Sequence, residues 1–159
     1  MIKDRLPPVF RLATAADADT VSEVYLASQK AFLPWLPRVH TDGEVRQWIR
    51  TYLIPTRRVT VAILDDEVVG MMALSDSDHG AVGWIDQLYL HPDVVRRGIG
   101  TALLERAKME LGSPIRLYTF QANEGARRFY ERHGFRAIAF GDGSQNEEQC
   151  PDVLYEWQA

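Results

Sequence analysis

The segment HPDVVRRGIGTALLERA, residues 91–107, constrains the fold of this chain more than any other. It begins where Pro92 stops an apolar stretch, and it ends in apolar side chains at helical spacing. Two arginines and two glycines form the short loop between. The first turn of a helix leaves backbone N–H groups unpaired, and the helix dipole adds positive potential there. The segment therefore predicts a strand-to-helix junction with a loop that can hold a phosphate group.

Three familiar kinds of phosphate loop do not fit this junction. A P-loop needs a lysine and a hydroxyl residue directly after its second glycine, and the sequence has no such match. A dinucleotide fingerprint needs a third glycine where Leu103 stands, and an acid about 20 residues further on, where residues 118–120 hold none. A kinase-type glycine loop lacks its partner motifs here.

What remains is a pyrophosphate cradle of backbone amides with two arginines as cationic flanks. The predicted cradle consists of Val95, Arg96, Arg97, Gly98, Ile99, Gly100 and Thr101. This junction alone leaves open the alternative that the glycines only form a turn and the arginines are solvated.

Composition limits the partners and the location of the protein. A chain of 159 residues fits one domain, residues 1–159. The formal charge of −4 argues against a general surface for nucleic acid or anionic membranes. No segment reaches the roughly 20 apolar residues of a membrane span, and the N-terminus lacks the apolar core of a signal peptide. We expect a cytoplasmic domain that binds neither nucleic acid nor membrane.

The cysteine and histidines predict no metal centre. Cys150 is the single cysteine, which excludes an internal disulfide and fits a reducing cytoplasm. Nothing near it marks it as activated, so we expect it to be inert. His79 is expected in an exposed turn, and His91 and His133 are expected to be structural, because no metal-ligand spacing links them.

The rest of the chain predicts about seven strands and four helices. The strand segments are PVFRLAT, RVTVAIL, EVVGMMALS, AVGWIDQLYLHP, IRLYTF, FRAIAF and DVLYEW. The helices are expected over residues 15–29, from Thr41 or Asp42 to about Leu53, over TALLERAKMEL and over NEGARRFYERHG. Asp65 and Asp66 mark a tight hairpin turn. This mixed order predicts an α/β fold, with a mixed α+β sheet and helices on both faces.

The last of these helices carries an aromatic stripe. Four residues at helical spacing form one face, which we expect to pack on the sheet: Ala126, Phe129, Tyr130 and His133. Asn123 can cap the start of the helix, and Gly134 can take the left-handed position after its end. Such a stripe alone is more typical of a core than of a catalytic site.

Taken together and in this order, the glycine loop and the aromatic helix resemble the GNAT superfamily of acetyl-CoA-dependent N-acetyltransferases. The resemblance covers most of the chain and is most specific from Trp84 to Arg136. VRRGIG matches the family's pyrophosphate loop at Gly98 and Gly100, while Val95 stands where glutamine or arginine is usual. Since that loop holds the phosphates with backbone groups, we expect the site to survive this departure.

The resemblance implies further contacts to acetyl-CoA. The family's strand before the loop splays from its neighbour and offers backbone groups to the pantetheine arm, here Leu88, Tyr89 and Leu90. Asn123 matches an asparagine near the pantetheine, and Tyr130 matches a tyrosine close to the thioester sulfur. Tyr130 is therefore our candidate for the general acid toward the leaving thiolate. The alternative is a core ring with a satisfied hydroxyl.

The general base is the least defined residue. Several family members place a glutamate early in the strand before the loop, where this chain has Trp84. Asp86, two positions on and thus on the same strand face, is the nearest candidate. A structural carboxylate near a bulge, or a relay through water, are the alternatives.

Two regions are candidates for binding the acceptor. In the segment from Phe32 to His40, which often walls the acceptor site in this family, we select Phe32, Trp35 and His40, although helix packing explains them as well. The stretch GDGSQNEEQCPD carries enough negative charge to attract a cationic amine, and Glu147 is our candidate there, with a solvated loop as the alternative.

The expected function is transfer of the acetyl group of acetyl-CoA to a primary amine of a small molecule or peptide, by direct attack in a ternary complex. No metal is expected to take part. A catalytically idle CoA-binding or sensing domain is the alternative that Val95 and Trp84 motivate, and an enzyme acting on protein lysines or N-termini is another. An exposed last strand makes a homodimer possible.

Overall fold

The computed structural model describes residues 6–159. The first five residues of the predicted domain, which also begin the segment considered for a signal peptide, lie outside this range.

One mixed sheet of seven strands runs through the molecule in the order β1-β2-β3-β4-β5-β7-β6. The strands are β1 (Val9–Leu12), β2 (Arg58–Leu64), β3 (Glu67–Ser77), β4 (Val82–Leu90), β5 (Ile115–Phe120), β6 (Arg136–Gly141) and β7 (Asp152–Trp157). Among the strand pairs of residues 6–159, only β4–β5 is parallel. The predicted turn between β2 and β3 is confirmed, with Asp65 and Asp66 both at positive φ.

Four helical segments accompany the sheet. They are α1 (Ala18–Phe32), α2 (Asp42–Trp48), α3 (Ile99–Leu111) and α4 (Glu124–Arg132). The helix α2 continues through a π-helical turn, Ile49–Leu53, and a last α-helical turn, Ile54–Thr56. None of the helices within residues 6–159 combines the length and the apolar character that a membrane crossing requires.

The first helix begins later than predicted. Residues Ala15–Asp17 form a 3-10 turn, and the α-helix starts at Ala18 rather than at residue 15. The cause is Asp17, whose carboxylate accepts the Thr14 N–H at 2.7 Å and two hydrogen bonds from Arg11 at 2.8 and 2.9 Å. This buried carboxylate holds a tight turn between β1 and α1.

Each face of the sheet has its own hydrophobic core. Helices α3 and α4 cover one face, where Leu103, Leu104 and Tyr130 pack among sheet residues. Helices α1 and α2 cover the other, where Val21 and Val24 pack on the opposite side chains of β2 and β3. This two-faced arrangement confirms the predicted fold class.

The sheet is open at its centre, between β4 and β5. These strands pair only at Gly83 with Ile115 and at Trp84 with Arg116. In β4 a bulge follows, because Leu74 of β3 pairs with Ile85 but Ala73 pairs with Gln87, which leaves Asp86 between them. Beyond the bulge, residues 88–90 pair with β3 alone. The splayed strand that the resemblance implied is therefore present.

The expectation of an exposed last strand is wrong. Strand β7 lies inside the sheet, hydrogen-bonded to β5 on one side and to β6 on the other. The edge strand at this end is β6, because β7 inserts between β5 and β6. A homodimer formed by strand pairing at this end of the sheet would use β6.

Candidate active site

The glycine loop ends in a helix start without side-chain caps. Gly98 takes the N-cap position of α3 in the left-handed conformation, with φ at 80°. The first helical hydrogen bond runs from the Ala102 N–H to the Gly98 carbonyl at 3.0 Å. The N–H groups of Ile99, Gly100 and Thr101 belong to the first turn, where no intrahelical carbonyl is available. The loop thus presents backbone donors and the positive end of a helix dipole.

Gly100 lies where the loop, β4 and α4 approach one another. A Cβ atom at this position would lie 3.4 Å from Leu90 Cδ1 and 3.4 Å from Phe129 Cζ. Arg96 and Arg97 are exposed beside the loop, and Arg96 itself has a positive φ of 66°. The backbone donors and two exposed cations fit the predicted pyrophosphate cradle, which stays a prediction.

His133 connects the start of α3 to the end of α4. Its Nδ1–H donates to the Phe129 carbonyl at 2.9 Å, which leaves Nε2 to accept from the Thr101 hydroxyl at 3.1 Å. Both ring nitrogens are thereby used inside the protein. This agrees with the structural role expected for His133 and fixes the orientation of the predicted cradle residue Thr101.

Tyr130 is buried on the face of α4 that meets the sheet. Its ring packs against Phe135 and Tyr155, with centroid distances of 5.6 and 6.2 Å. Within residues 6–159, its hydroxyl has no hydrogen-bond partner. Burial, together with the nearby Tyr89, raises the pKa of Tyr130 above its ordinary value. The hydroxyl therefore stays protonated at neutral pH and can donate.

Asn123 lies at the N-terminus of α4, as predicted. Its side-chain oxygen accepts the Ala126 N–H at 3.2 Å, which confirms the expected cap. The oxygen is thus committed to the helix, and any contact of Asn123 with a pantetheine arm would use its amide NH₂ group.

Asp86, the candidate base, is engaged by a cation. Its Oδ2 lies 3.3 Å from the Arg57 Nε, and both side chains are only partly exposed. Trp84 is also engaged, because its Nε1–H donates to the Ser77 hydroxyl at 3.0 Å and its ring stacks on Tyr118 at 5.8 Å. The Asp86 carboxylate is therefore already in contact with a cation, and the base stays a prediction.

A cavity of about 270 Å³ opens on the α1 side of the sheet, between the α1–α2 connection and the β6–β7 loop. It is lined by Tyr25, Leu26, Gln29, Lys30, Leu33, Pro34, Leu36, Pro37, Arg38, Val39, His40, Val45 and Glu148. We call this the α1 cavity.

The α1 cavity includes only one of the four predicted acceptor residues. His40 is part of its wall, and Glu147 binds His40 but is not itself a wall residue. Phe32 and Trp35 are exposed outside it, with the Trp35 ring edge-on to Phe120 at 5.9 Å. All four acceptor assignments stay predictions.

A histidine connects the two segments that border the α1 cavity. His40 Nε2 lies 2.9 Å from Glu147 Oε2, and His40 Nδ1 lies 3.7 Å from Glu44 Oε2. The hydrogen bond to Glu147, with a smaller effect of Glu44, raises the pKa of His40. The α1–α2 connection and the β6–β7 loop are therefore tied by a contact that protonation strengthens.

Sequence reasoning named Tyr89 only as a cofactor residue and missed its contact with Tyr25, which lines the α1 cavity. The rings of Tyr25 and Tyr89 lie 4.7 Å apart, and Gln29 Nε2 donates to the Tyr25 hydroxyl at 3.2 Å. Burial first, then the neighbouring Tyr89 and after it the charge of Glu148, raises the pKa of Tyr25; burial also raises that of Tyr89. Strand alternation could have revealed Tyr89, which faces α1 whereas Leu88 and Leu90 face α3.

A second concavity, of about 490 Å³, lies over β5, β7 and β6. Tyr118, Phe120 and Phe140 line it together with Asp152 and the loop after β6. Tyr118 and Phe140 are each 62% exposed. This surface is larger than the α1 cavity.

Among residues 6–159, no group of three or more His, Cys, Asp or Glu side chains is arranged to hold a metal ion. Cys150 is a free, partly buried thiol whose Sγ lies 3.5 Å from the Glu148 carbonyl.

Residues 23–135 match the family described as Acetyltransferase (GNAT) family. A curated relative, the uncharacterized N-acetyltransferase YafP of Escherichia coli K12, is 33% identical over 84 residues. That match covers 51% of this chain and 47% of YafP, so the chain spans about half the length of this relative.

Solved structures share the fold over nearly the whole chain. Apo YjaB from Escherichia coli matches with a TM-score of 0.77 and 22% identity, over 97% of this chain and 100% of that one. The PaiA N-acetyltransferase of Thermoplasma acidophilum, in complex with coenzyme A, matches with a TM-score of 0.74 and 20% identity over the same shares. At these identities the likeness shows the fold.

Proposed function

This chain belongs to the GNAT family of acetyltransferases, and from that premise we propose that it transfers an acetyl group from acetyl-CoA to a primary amine. The observation that carries the proposal is the opening between β4 and β5, which leads directly to the uncapped first turn of α3. A strand with one unpaired edge and a helix start with free donors are complementary to an extended, phosphate-bearing ligand.

The chain's own backbone would hold the cofactor. Bound acetyl-CoA supplies a thioester carbonyl for attack by an unprotonated amine. Residues 95–101 would donate N–H groups to its pyrophosphate, and the β5-facing edge of residues 88–90 would bind the pantetheine arm. Since these contacts use main-chain groups, the valine at position 95 removes none of them.

Tyr130 would donate a proton to the leaving thiolate. Its hydroxyl has no other partner among the described residues, and its raised pKa keeps the proton in place at neutral pH. Backbone N–H groups near the bulge of β4 would stabilise the negative charge that develops on the carbonyl oxygen.

The acceptor must lose a proton before it attacks, since an amine with a pKa of about 10.4 is mostly cationic at neutral pH. Asp86 is the nearest carboxylate on β4, but its ion pair with Arg57 favours a relay through water over direct transfer. In this proposal, ordered water takes the proton from the amine and passes it on toward Asp86.

Two acceptor classes fit different surfaces. The α1 cavity is small enough for a compact amine. The second concavity is open and aromatic, which favours an extended peptide, as an enzyme acting on protein lysines or N-termini would require. Of the predicted acceptor residues, His40 lines the α1 cavity and is bonded to Glu147, while Trp35 contacts Phe120 of the second concavity. Phe32 lines neither surface and stays a prediction from sequence.

The alternative is a catalytically idle CoA-binding or sensing domain. Such a domain would make the same contacts to the cofactor but would not transfer the acetyl group. Release of free thiol from acetyl-CoA in the presence of an amine separates the two, because a sensing domain would bind acetyl-CoA and release none. The free thiol of Cys150 is consistent with a reducing, cytoplasmic location for either activity.

Thermal unfolding with and without acetyl-CoA tests the cofactor site directly. Ligand at about 100 times its dissociation constant should stabilise the protein by roughly 2.7 kcal/mol, which is about 5 to 10 °C for a domain of this size. NADH and ATP serve as controls for nonspecific phosphate binding. Equal shifts with all three ligands, or none with acetyl-CoA, would refute the proposed cofactor.

A further inference from the structure

The charged side chains that line the α1 cavity are paired, with one exception. Lys30 Nζ lies 2.9 Å from Asp42 Oδ2, and Arg38 bonds the other oxygen of the same carboxylate. His40 is bonded to Glu147. Glu148 is partly buried, and within residues 6–159 its carboxylate has neither a basic group within 4 Å nor a side-chain hydrogen bond.

A carboxylate withdrawn from water without a partner is unfavourable, and a bound cation would relieve that cost. Glu148 is close enough to Tyr25 for its charge to contribute to the raised pKa of that hydroxyl. Tyr25 lines the cavity, with the Tyr89 ring 4.7 Å behind it, and aromatic faces attract ammonium groups. One end of the cavity is therefore suited to a single positive charge.

Part of the remaining wall is apolar. Leu26 and Leu33 are buried, and Leu36, Val39 and Val45 complete that side of the cavity. Within the described chain, no second unpaired carboxylate lines it, and Lys30 and Arg38 stand at its wall as cations. A ligand with a second positive charge would find no partner here.

We propose that the α1 cavity selects a small primary monoamine with a compact apolar body, and that Glu148 is the residue that recognises its ammonium group. The inference rests on the proposed acetyl transfer and specifies its acceptor. Glu148 binds the ammonium form, Tyr25 lies beside it, and the leucine and valine side chains enclose the apolar body.

Steady-state thiol release with three acceptors tests the selection. The acceptors are 2-phenylethylamine, spermidine and a tetra-alanine peptide with a free N-terminus. We expect the highest kcat/KM for 2-phenylethylamine. A higher kcat/KM for spermidine would overturn the monoamine assignment, and a higher value for the peptide would move the acceptor to the second concavity.

Variants of Glu148 test the recognition. In Glu148→Gln, loss of a charge-assisted contact should raise the KM for 2-phenylethylamine roughly tenfold or more, with kcat changed much less. Glu148→Asp keeps the charge and should recover part of the loss. Glu67→Gln removes the same charge from an exposed position in the β2–β3 hairpin and should leave KM unchanged. An unchanged KM in Glu148→Gln would remove Glu148 from the site.

Calorimetric binding of 2-phenylethylamine to the CoA-saturated protein needs no turnover. Binding that weakens in Glu148→Gln but not in Glu67→Gln supports the acceptor site. If such binding is seen without any release of thiol, the proposed acetyl transfer is refuted while the amine site is supported. Equal binding to both variants overturns the inference while leaving acetyl transfer intact.

Discussion

Tyr130 and Tyr155 are buried tyrosines of the same core, but only one of their hydroxyls is bonded within the described protein. The Tyr155 hydroxyl accepts from Arg127 Nε at 3.1 Å and donates to Glu131 at 3.4 Å. That difference is what we expect if Tyr130 has the proposed catalytic role and Tyr155 a structural one. We expect Tyr130→Phe to lower kcat by about 10²- to 10⁴-fold with little change in acetyl-CoA affinity, as measured by thiol release and calorimetry.

Tyr155→Phe is the matched control for that experiment. It deletes the same atom from a bonded position, so it should lower the free energy of unfolding by about 1 kcal/mol while kcat is largely kept. Wild-type turnover in Tyr130→Phe would end its role as the acid. A loss of stability as large as that of Tyr155→Phe would instead indicate a packing role.

Gly100 is the position where a side chain would most directly obstruct the proposed cradle. In Gly100→Asp, the new Cβ meets Leu90 and Phe129 at 3.4 Å and the carboxylate repels phosphate. We expect acetyl-CoA affinity to fall at least about tenfold, with cooperative unfolding retained. Gly43→Asp, whose Cβ finds only Thr41 Oγ1 at 3.9 Å, adds the same side chain to another helix start and should bind normally.

Single residues were predictable when their role is local. Asn123 and Gly134 act on their own helix, and both take the expected positions at its ends. Glu148 and Tyr25 come together only because β6 and β7 bring the intervening loop back over α1. No spacing along the chain encodes that meeting, so the candidate acceptor site was only partly visible in the sequence.

At the scale of elements, the contact between the α1–α2 connection and the β6–β7 loop depends on pH. Since Glu147 raises the pKa of His40 in the folded protein, the contact contributes fully below the ordinary value of 6.5. It is lost as pH rises through the raised value. Protonation of one side chain therefore joins two segments that border the α1 cavity.

NMR titration of His40 measures this coupling. We expect a midpoint above 6.5 in the wild type and a lower midpoint in Glu147→Gln, because the hydrogen-bonded carboxylate is gone. Glu44→Gln should lower it less, since that carboxylate lies 3.7 Å away. An identical midpoint in the wild type and Glu147→Gln would show that the two segments are not coupled through this pair.

Most elements were predictable because their patterns are strong. Local sequence predicts the turn at Asp65 and Asp66 and the apolar face of α3. It also predicts where β5 begins and ends. The start of α1 was misplaced because the Asp17 carboxylate, bonded to Arg11, stabilises a 3-10 turn that helix periodicity does not reveal. The π-helical turn after Trp48 leaves no comparable signal in the sequence.

At the scale of the whole molecule, the two parts of the sheet meet through a very short pairing. Strands β1 to β4 form one part and β5 to β7 the other, joined at two residue pairs. The sequence predicted that helices cover both faces of the sheet, but it did not predict the order of the strands. The insertion of β7 between β5 and β6 depends on long-range pairing, which is why the last strand was wrongly placed at an edge.

Hydrogen exchange should map the ligand onto this opening. We expect saturating acetyl-CoA to slow amide exchange in residues 86–101, where backbone groups become protected, and to leave β1 and β2 unchanged. ATP at the same concentration is the control. Protection that spreads evenly over all seven strands would indicate general stabilisation rather than binding between β4 and β5.

The two residue pairs that join β4 to β5 also bear on how long the protein survives in a cell. In the free form the backbone groups at this opening lack a neighbouring strand, and a ligand that binds the folded protein stabilises it, so we expect the free protein to sample partly unfolded states more often. Proteases cleave such states. If the proposed acetyl transfer holds, the abundance of the protein should therefore follow the supply of acetyl-CoA, rising when acetyl-CoA is plentiful and declining through degradation when it is scarce.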